Sequence, residues 1–368
     1  MSLRITVPSL TLLLLCAAPL LAAQTAVSPF LSLEERLSGL EARQAELYHT
    51  LAEKKSAGLS ESISKNMTLS GLIEVEGSAV RRRLADHSTD SASDLVLATA
   101  QLGLDAKVSE EVGVNLTLLY EEGGELEVDE AFMRFEEGRW SMNAGRLYLP
   151  FGAFHSHFVS DPLTLTLGET RQTAVLAGYG QGGVQLQAFA FNGNVDKAGS
   201  EDHVNDGGLR LTVTPGDGLE FGASILSDLA ESNAVLLGGN AYTRRVVGWS
   251  AYAHLQQGRL GLEAEYLAAA RAFAASDLDI DADGRGDQPQ TWNLEAAWAL
   301  TPEVELAARY GGSRELAEAP RHEYGVDLSW SSFATTTFSL EYLRSNFDSS
   351  LAAVDHSDQL TLQVALAF

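Results

Sequence analysis

The chain has 368 residues, 45% of them hydrophobic, with 33 Gly against 9 Pro and a formal net charge of −25. Such acidity excludes nucleic acid as a partner, because neutralising phosphates requires a basic surface. The length allows about two water-soluble domains or one large closed sheet, and the negative charge suits a chain that stays soluble while crossing the periplasm.

Residues 1–23 read as a signal peptide: Arg4 supplies a positive start, Leu10 to Ala18 an apolar run, and Ala22 with Ala23 a cleavage site. That run is too short for a membrane helix, and no later window approaches the roughly 18 apolar residues that a spanning helix needs. A membrane reading therefore requires strands. The single cysteine, Cys16, lies inside the signal behind the bulky Leu15. Lipidation would want a small residue there, and the mature chain has no thiol for disulfides.

Residues 24–65 are expected to form a periplasmic amphipathic helix and linker. Leu33, Leu37, Leu40, Leu47 and Leu51 recur at helical spacing around Gln44, and Ser32 with Glu35 makes a capping box. The pattern fits a short coiled coil of about three heptads, which implies a homo-oligomer. It also fits a lone amphipathic helix lying on a barrel or a membrane.

From Leu69 onward the period becomes two. Val112, Val114, Leu116, Leu118 and Tyr120 alternate with Gly113, Asn115 and Thr117; Trp292, Leu294, Ala296, Trp298 and Leu300 alternate with Asn293, Glu295 and Ala297; Leu360 to Phe368 alternate likewise. Segments of about ten residues with one apolar and one polar face are the signature of an outer-membrane barrel. Short turns are expected near Ser109, Gly138, Gly182, Gly216, Gly258, Thr301 with Pro302, and Phe333. Between them fall longer loops near 80–93, 122–126, 149–171, 194–206, 229–243, 273–290, 313–321 and 347–357. Residues 66–368 are thus predicted to form an all-β, antiparallel transmembrane barrel of about 16 strands in the bacterial outer membrane, with both ends periplasmic. Lipid offers no hydrogen bonds, so the sheet must close, and a ring of that size encloses an aqueous lumen. Aromatics near strand ends, among them Trp140, Tyr148, Trp249, Trp298, Tyr310, Tyr324 and Trp330, fit interfacial girdles.

Four segments carry a family resemblance: SGLIEVEGSA (70–79), DLVLATAQLGLDAKV (94–108), LLYEEGGELEVDEAFMRF (118–135) and GRLYLPFGAFHSHFVSDPLTLTLGETRQTAVLAGY (145–179). The amino-terminal half of the barrel resembles the legiobactin-uptake type of siderophore porin. The resemblance implies a plugless outer-membrane channel that passes ferric siderophore complexes by diffusion. It does not extend past Tyr179. Porin barrels are commonly trimeric, which favours a trimer over a dimer. Outer-membrane lipid and lipopolysaccharide are the expected surroundings.

Alternation places Glu74, Glu76, Asp105, Glu130, Glu136, Glu220, Glu263, Glu265, Glu295, Glu305, Glu323, Asp327 and Glu341 in the lumen, with Arg134, Arg210, Arg309 and Arg271 as the fewer bases. Rings of carboxylate favour cations, so a general cation-preferring porin is the alternative function. A structural, envelope-tethering barrel is a third. Anionic siderophores would need a basic strip, for which Arg81, Arg82 and Arg83 with Arg146 and Arg171 are candidates; the same arginines could instead meet lipopolysaccharide phosphates. Residues 149–171, containing His155, His157 and Asp161, are the predicted constriction. The two histidines could bind iron or zinc, or be ordinary surface residues.

Asp279, Asp281, Asp283 and Asp287 around Gly284 follow calcium-loop spacing, but Gln290 replaces the usual bidentate Glu. A solvated acidic loop is the alternative, and no other cofactor is indicated. No nucleophile elbow or zinc-hydrolase spacing is present, so an enzyme is not expected.

Overall fold

The computed structural model describes residues 66–195, 198–199, 203–237, 242–348 and 351–368. The predicted signal peptide (1–23) and coiled-coil segment (24–65) lie outside the described residues.

Sixteen strands follow in order among them: β1 (Met67–Leu84), β2 (Thr89–Lys107), β3 (Val112–Glu121), β4 (Glu127–Glu137), β5 (Trp140–Tyr148), β6 (Arg171–Gln181), β7 (Val184–Phe191), β8 (Asp206–Gly216), β9 (Leu219–Leu226), β10 (Gly248–Gln257), β11 (Leu260–Ala269), β12 (Gln290–Ala299), β13 (Val304–Arg314), β14 (His322–Phe333), β15 (Thr336–Asn346) and β16 (Val354–Ala367). Each pairs antiparallel with its sequence neighbour, and β1 pairs with β16 to close the barrel. Closure satisfies the backbone groups that lipid cannot. One short helix, α1 (Leu163–Gly168), interrupts the connection between β5 and β6.

The period-two pattern becomes a two-faced wall. On β12, Leu294 and Trp298 are 47% and 49% exposed on the outside, while Asn293, Glu295 and Ala297 face inward and are buried. This inverts a soluble sandwich, in which the polar face would look out.

The predicted short turns fall where expected, between β2 and β3, β4 and β5, and onward to β14 and β15. One predicted loop does not exist as such. Residues 80–93 are mostly strand, with only residues 85–88 left as the turn, and β1 and β2 run to 18 and 19 residues. From Thr89 to Leu97 strand β2 pairs with β1 alone, because β3 meets it only between Thr99 and Lys107. Every residue from Thr89 to Leu95 is exposed. Neither face of this stretch is buried, so no apolar alternation marked it as strand in the sequence.

Candidate functional site: an inward-folded loop held by buried carboxylates

Residues 149–170 leave the end of β5 and fold into the barrel. The entry is built by two residues. Phe151 is fully buried in a cluster with Leu167, Leu226, Leu229, Val246 and Leu267. Gly152 turns the chain at φ 83°, and a Cβ there would lie 2.3 Å from the Phe154 ring. Its N–H donates to the Ser224 hydroxyl at 3.0 Å, and its carbonyl accepts from Arg210 at 2.9 Å.

Farther along, the loop's backbone N–H groups need acceptors because they are turned away from bulk water. Three wall carboxylates supply them. Glu265 on β11 accepts from the N–H groups of Ala153 (2.7 Å) and Phe154 (3.0 Å) and from the Thr164 hydroxyl (2.9 Å). Glu295 on β12 accepts from the His157 N–H (2.6 Å) and the Ser156 hydroxyl (3.1 Å). Glu341 on β15 accepts from the Ser160 N–H (2.9 Å) and from the Ser160 hydroxyl. Arg309 on β13 completes the clamp. It pairs with Glu295 at 2.9 Å, donates to the Ser160 carbonyl at 2.7 Å and lies over the Phe158 ring at 4.3 Å. Buried charges need partners: Glu295 pairs with Arg309, and Glu265 and Glu341 are held by hydrogen bonds from the loop.

The loop reaches down to the short-turn end of the barrel. His157 Nδ1 lies 2.8 Å from Glu305, which follows the first residue of β13, and its Nε2 lies 3.6 Å from Glu263. His155 is exposed in the lumen, with its ring 5.1 Å from His254 and 6.0 Å from Tyr252. Tyr252 donates to Glu220 at 2.6 Å and accepts from Arg210 at 2.5 Å.

This anchoring is one-sided. Among the described residues, the inner loop bonds to side chains of β8, β9, β11, β12, β13 and β15, and to no inward side chain of β1, β2, β3 or β16. The loop-facing carboxylate of Asp161 is exposed and within electrostatic range of Glu76 on β1. Between the loop and the β4–β8 wall lies a cavity of about 420 Å³, lined in part by Glu130, Phe132, Asn143, Gln187 and Arg210. Elsewhere Arg134 pairs with Asp105 at 3.3 Å and faces Glu136 at 3.6 Å.

The sequence-predicted residues therefore separate into groups. His155, His157, Asp161, Arg210, Glu263, Glu265, Glu295 and Arg309 come together around the inner loop, and Arg134 lies on the lumen wall. Arg146 and Arg171 do not join them. Both share the outward parity of Met142 and Val175 (40% and 50% exposed), and they pair with Glu127 at 3.6 and 2.9 Å; Arg171 also pairs with Asp129. Arg81 and Arg83 also point outward, whereas Arg82 pairs with Asp90 at 3.5 Å. The expected basic strip is thus not assembled in the pore, because strand alternation divides neighbouring arginines between two faces. Arg271 lies in the loop after β11 and donates to the Arg245 carbonyl at 2.6 Å rather than lining the wall. Sequence reasoning missed Ser156, Ser160, Thr164 and Ser224; small hydroxyl residues carry no signal until their partners are known.

Outside the membrane, the carboxylates of Asp279, Asp281 and Asp283 come within 4.8 Å of one another. Asp287 is not in that group. It accepts from the Ile280 N–H at 2.5 Å, and burial pushes its carboxyl above the usual range. The four-acid set is thus brought together only as three.

No family model matches the chain. Among curated proteins it is 26% identical over 214 residues to a UPF0422 protein of Coxiella burnetii, covering 54% of this chain and 46% of that one. A UPF0422 protein of Legionella pneumophila (strain Paris) is 24% identical over 298 residues, covering 69% and 55%. The chain spans about half the length of the curated relatives it matches. Among solved structures, the outer-membrane channel DcaP of Acinetobacter baumannii superposes with a TM-score of 0.63 at 14% identity, over 82% of this chain and 97% of that one. The anion-selective porin from Comamonas acidovorans gives 0.60 at 12%, over 82% and 99%. The fold is that of outer-membrane porins: a closed antiparallel barrel of sixteen strands.

Proposed function

We propose that this protein is an outer-membrane porin whose solutes pass by diffusion between the inner loop and the wall formed by β16 and β1–β4. The observation that carries this reading is the one-sided clamp: among the described residues the loop is bonded to the far wall and to no inward side chain of β1, β2, β3 or β16. A sixteen-stranded barrel leaves an aqueous channel, and a loop pinned inside it sets the width.

The solute we propose is a ferric siderophore complex, on the resemblance of residues 70–79, 94–108, 118–135 and 145–179 to siderophore porins. A second reading, a general cation-preferring porin, is favoured by Asp161 lying within electrostatic range of Glu76. Several acids that would have formed a selectivity ring instead hold the loop, so fewer carboxylates face the passage than strand alternation alone implies. A homo-oligomer in outer-membrane lipid fits either reading.

Single-channel recording of the refolded protein tests both. Block by one ferric siderophore at low micromolar concentration, and not by its iron-free form, supports specific uptake. Steady cation-selective conductance indifferent to every siderophore supports the general porin. Absence of conductance overturns the porin reading and leaves a structural role.

A further inference from the structure

The outer wall carries a belt of aromatic side chains on the long-loop side. Trp249 lies 5.3 Å from Tyr266 on neighbouring strands, and Tyr310 lies 5.3 Å from Tyr324. Such belts sit at the depth of the lipid head groups. The register continues this row directly: Tyr310 pairs with Tyr324, Tyr324 with Arg344, Arg344 with Asp358, Asp358 with Arg81 and Arg81 with Ser91. At β15, β16 and β1 the row therefore changes from aromatic to charged, one outward position beyond the apolar row of Tyr342, Leu360 and Ala79.

All members of this row face outward. Arg81 is two residues above Ala79, the next outward position, whose partner Leu360 is 48% exposed, and Tyr342 beside them is 43% exposed. One row farther out, Arg83 pairs with His356 and donates to the Thr89 hydroxyl at 3.3 Å. Arg344 meets Asp358 at 2.9 Å, and Tyr342 donates to the same Asp358 oxygen at 2.7 Å. Arg81 has no ion-pair partner among the described residues. The outward patch thus holds Arg81, Arg83 and Arg344 against the carboxylate of Asp358, with Asp86 in the adjoining turn within electrostatic range of Arg83. His356 at its upper edge contacts Asp355 at 3.0 Å. A cationic excess in a chain of net charge −25 is a local feature. Between Arg81, Tyr342, Asp358 and Leu360 runs an outer groove of about 430 Å³, with Ser91 and Ser93 along its rim.

We propose that this groove seats the phosphorylated sugar head group of an outer-leaflet glycolipid. Its phosphate would meet Arg81 and Arg83, its sugar hydroxyls Asp358 and the two serines, and its acyl chains the apolar wall below Ala79 and Leu360. The row's place at the edge of the outward apolar residues Tyr342 and Leu360 fits a head group, the charge fits a phosphate, and the groove faces outward rather than to the lumen. The site is separate from the pore, so its failure would leave the porin reading untouched.

The test uses the refolded full chain in detergent, titrated with diphosphorylated lipid A, dephosphorylated lipid A and inorganic phosphate, with bound lipid read by native mass spectrometry. The diphosphorylated form is expected to bind most tightly. The double variant Arg81→Gln with Arg83→Gln should weaken it roughly thirtyfold, since each basic residue near a charged lipid surface contributes about a factor of five. Arg81→Lys with Arg83→Lys should retain most of the binding, and an unchanged heat-dependent gel shift should confirm that both variants form barrels. Equal binding of the dephosphorylated lipid, or an unaffected glutamine variant, overturns the proposal. So does inorganic phosphate that competes at the lipid's own concentration. A glutamine variant that changes the oligomeric state without changing lipid binding would make the row a contact between copies and overturn it as well.

Discussion

Arg309 and Glu295 face each other on adjacent strands at 2.9 Å, with both side chains fully withdrawn from solvent, and together they hold the inner loop at Ser156 and His157. Neither charge would be tolerable alone at that depth. Each is the reason the other can be there, and the loop is the third partner that satisfies their remaining hydrogen bonds.

Breaking this pair from one side should therefore be costly. Arg309→Met is expected to destabilise the barrel by about 3–5 kcal/mol, the usual penalty for stranding one member of a buried pair. Thermal unfolding in detergent measures it. Replacing both residues, Glu295→Gln with Arg309→Met, should recover part of the loss, because Glu295 no longer carries a stranded charge and only the longer Glu323 contact, 3.6 Å, is lost. Equal losses in the single and double variants would contradict the pairing.

Glu265 acts on the loop without a cationic partner. Its replacement by Ala leaves the Ala153 and Phe154 N–H groups and the Thr164 hydroxyl without their acceptor, at roughly 1–3 kcal/mol for each group that water does not reach. Freed at its upper end, the loop should fluctuate. Single-channel current is expected to become noisier and larger on average, whereas Glu265→Gln, which still accepts two hydrogen bonds, should be milder. Quiet, unchanged current in the alanine variant would mean that the loop is held elsewhere.

At Gly152 the constraint is steric. Its φ of 83° favours glycine, and a Cβ would meet the Phe154 ring at 2.3 Å. Gly152→Val is expected to lower the unfolding temperature and to disturb conductance together, because the same residue makes the entry turn and bonds to Ser224 and Arg210. Normal conductance in a stably folded Gly152→Val barrel would show that the entry turn can be rebuilt.

Selectivity should depend on acids that face the passage and not on those that hold the loop. Asp161→Asn and Glu76→Gln are each expected to shift the reversal potential toward zero in a salt gradient, whereas Glu341→Gln should alter stability more than selectivity. Reversal potentials across planar bilayers separate the two groups. A larger shift from Glu341 than from Asp161 would reverse the assignment.

The strands were legible because a membrane barrel exposes one face to lipid and the other to water, so alternation is written into β12 and β16 residue by residue. Where neither condition applies, reading failed. The stretch Thr89 to Leu95 looked like a loop because both its faces are exposed, yet its backbone pairs with β1. The arginines divide for a related reason: adjacent residues on a strand point opposite ways, so Arg82 could never act together with Arg81 and Arg83.

The acids show the deeper division. Sequence alone determined that Glu263, Glu265, Glu295, Glu323 and Glu341 face inward, since parity on a strand is a local property of the chain. It could not determine what they do there. A carboxylate in a lumen can attract a cation, pair with an arginine or accept a loop's N–H groups, and the choice depends on which chain segments lie within about 3 Å of it. The loop residues that bond to Glu265 and Glu295 are more than a hundred positions from them in sequence. Only closure of the barrel brings that loop to those acids, and closure is a property of the whole sheet.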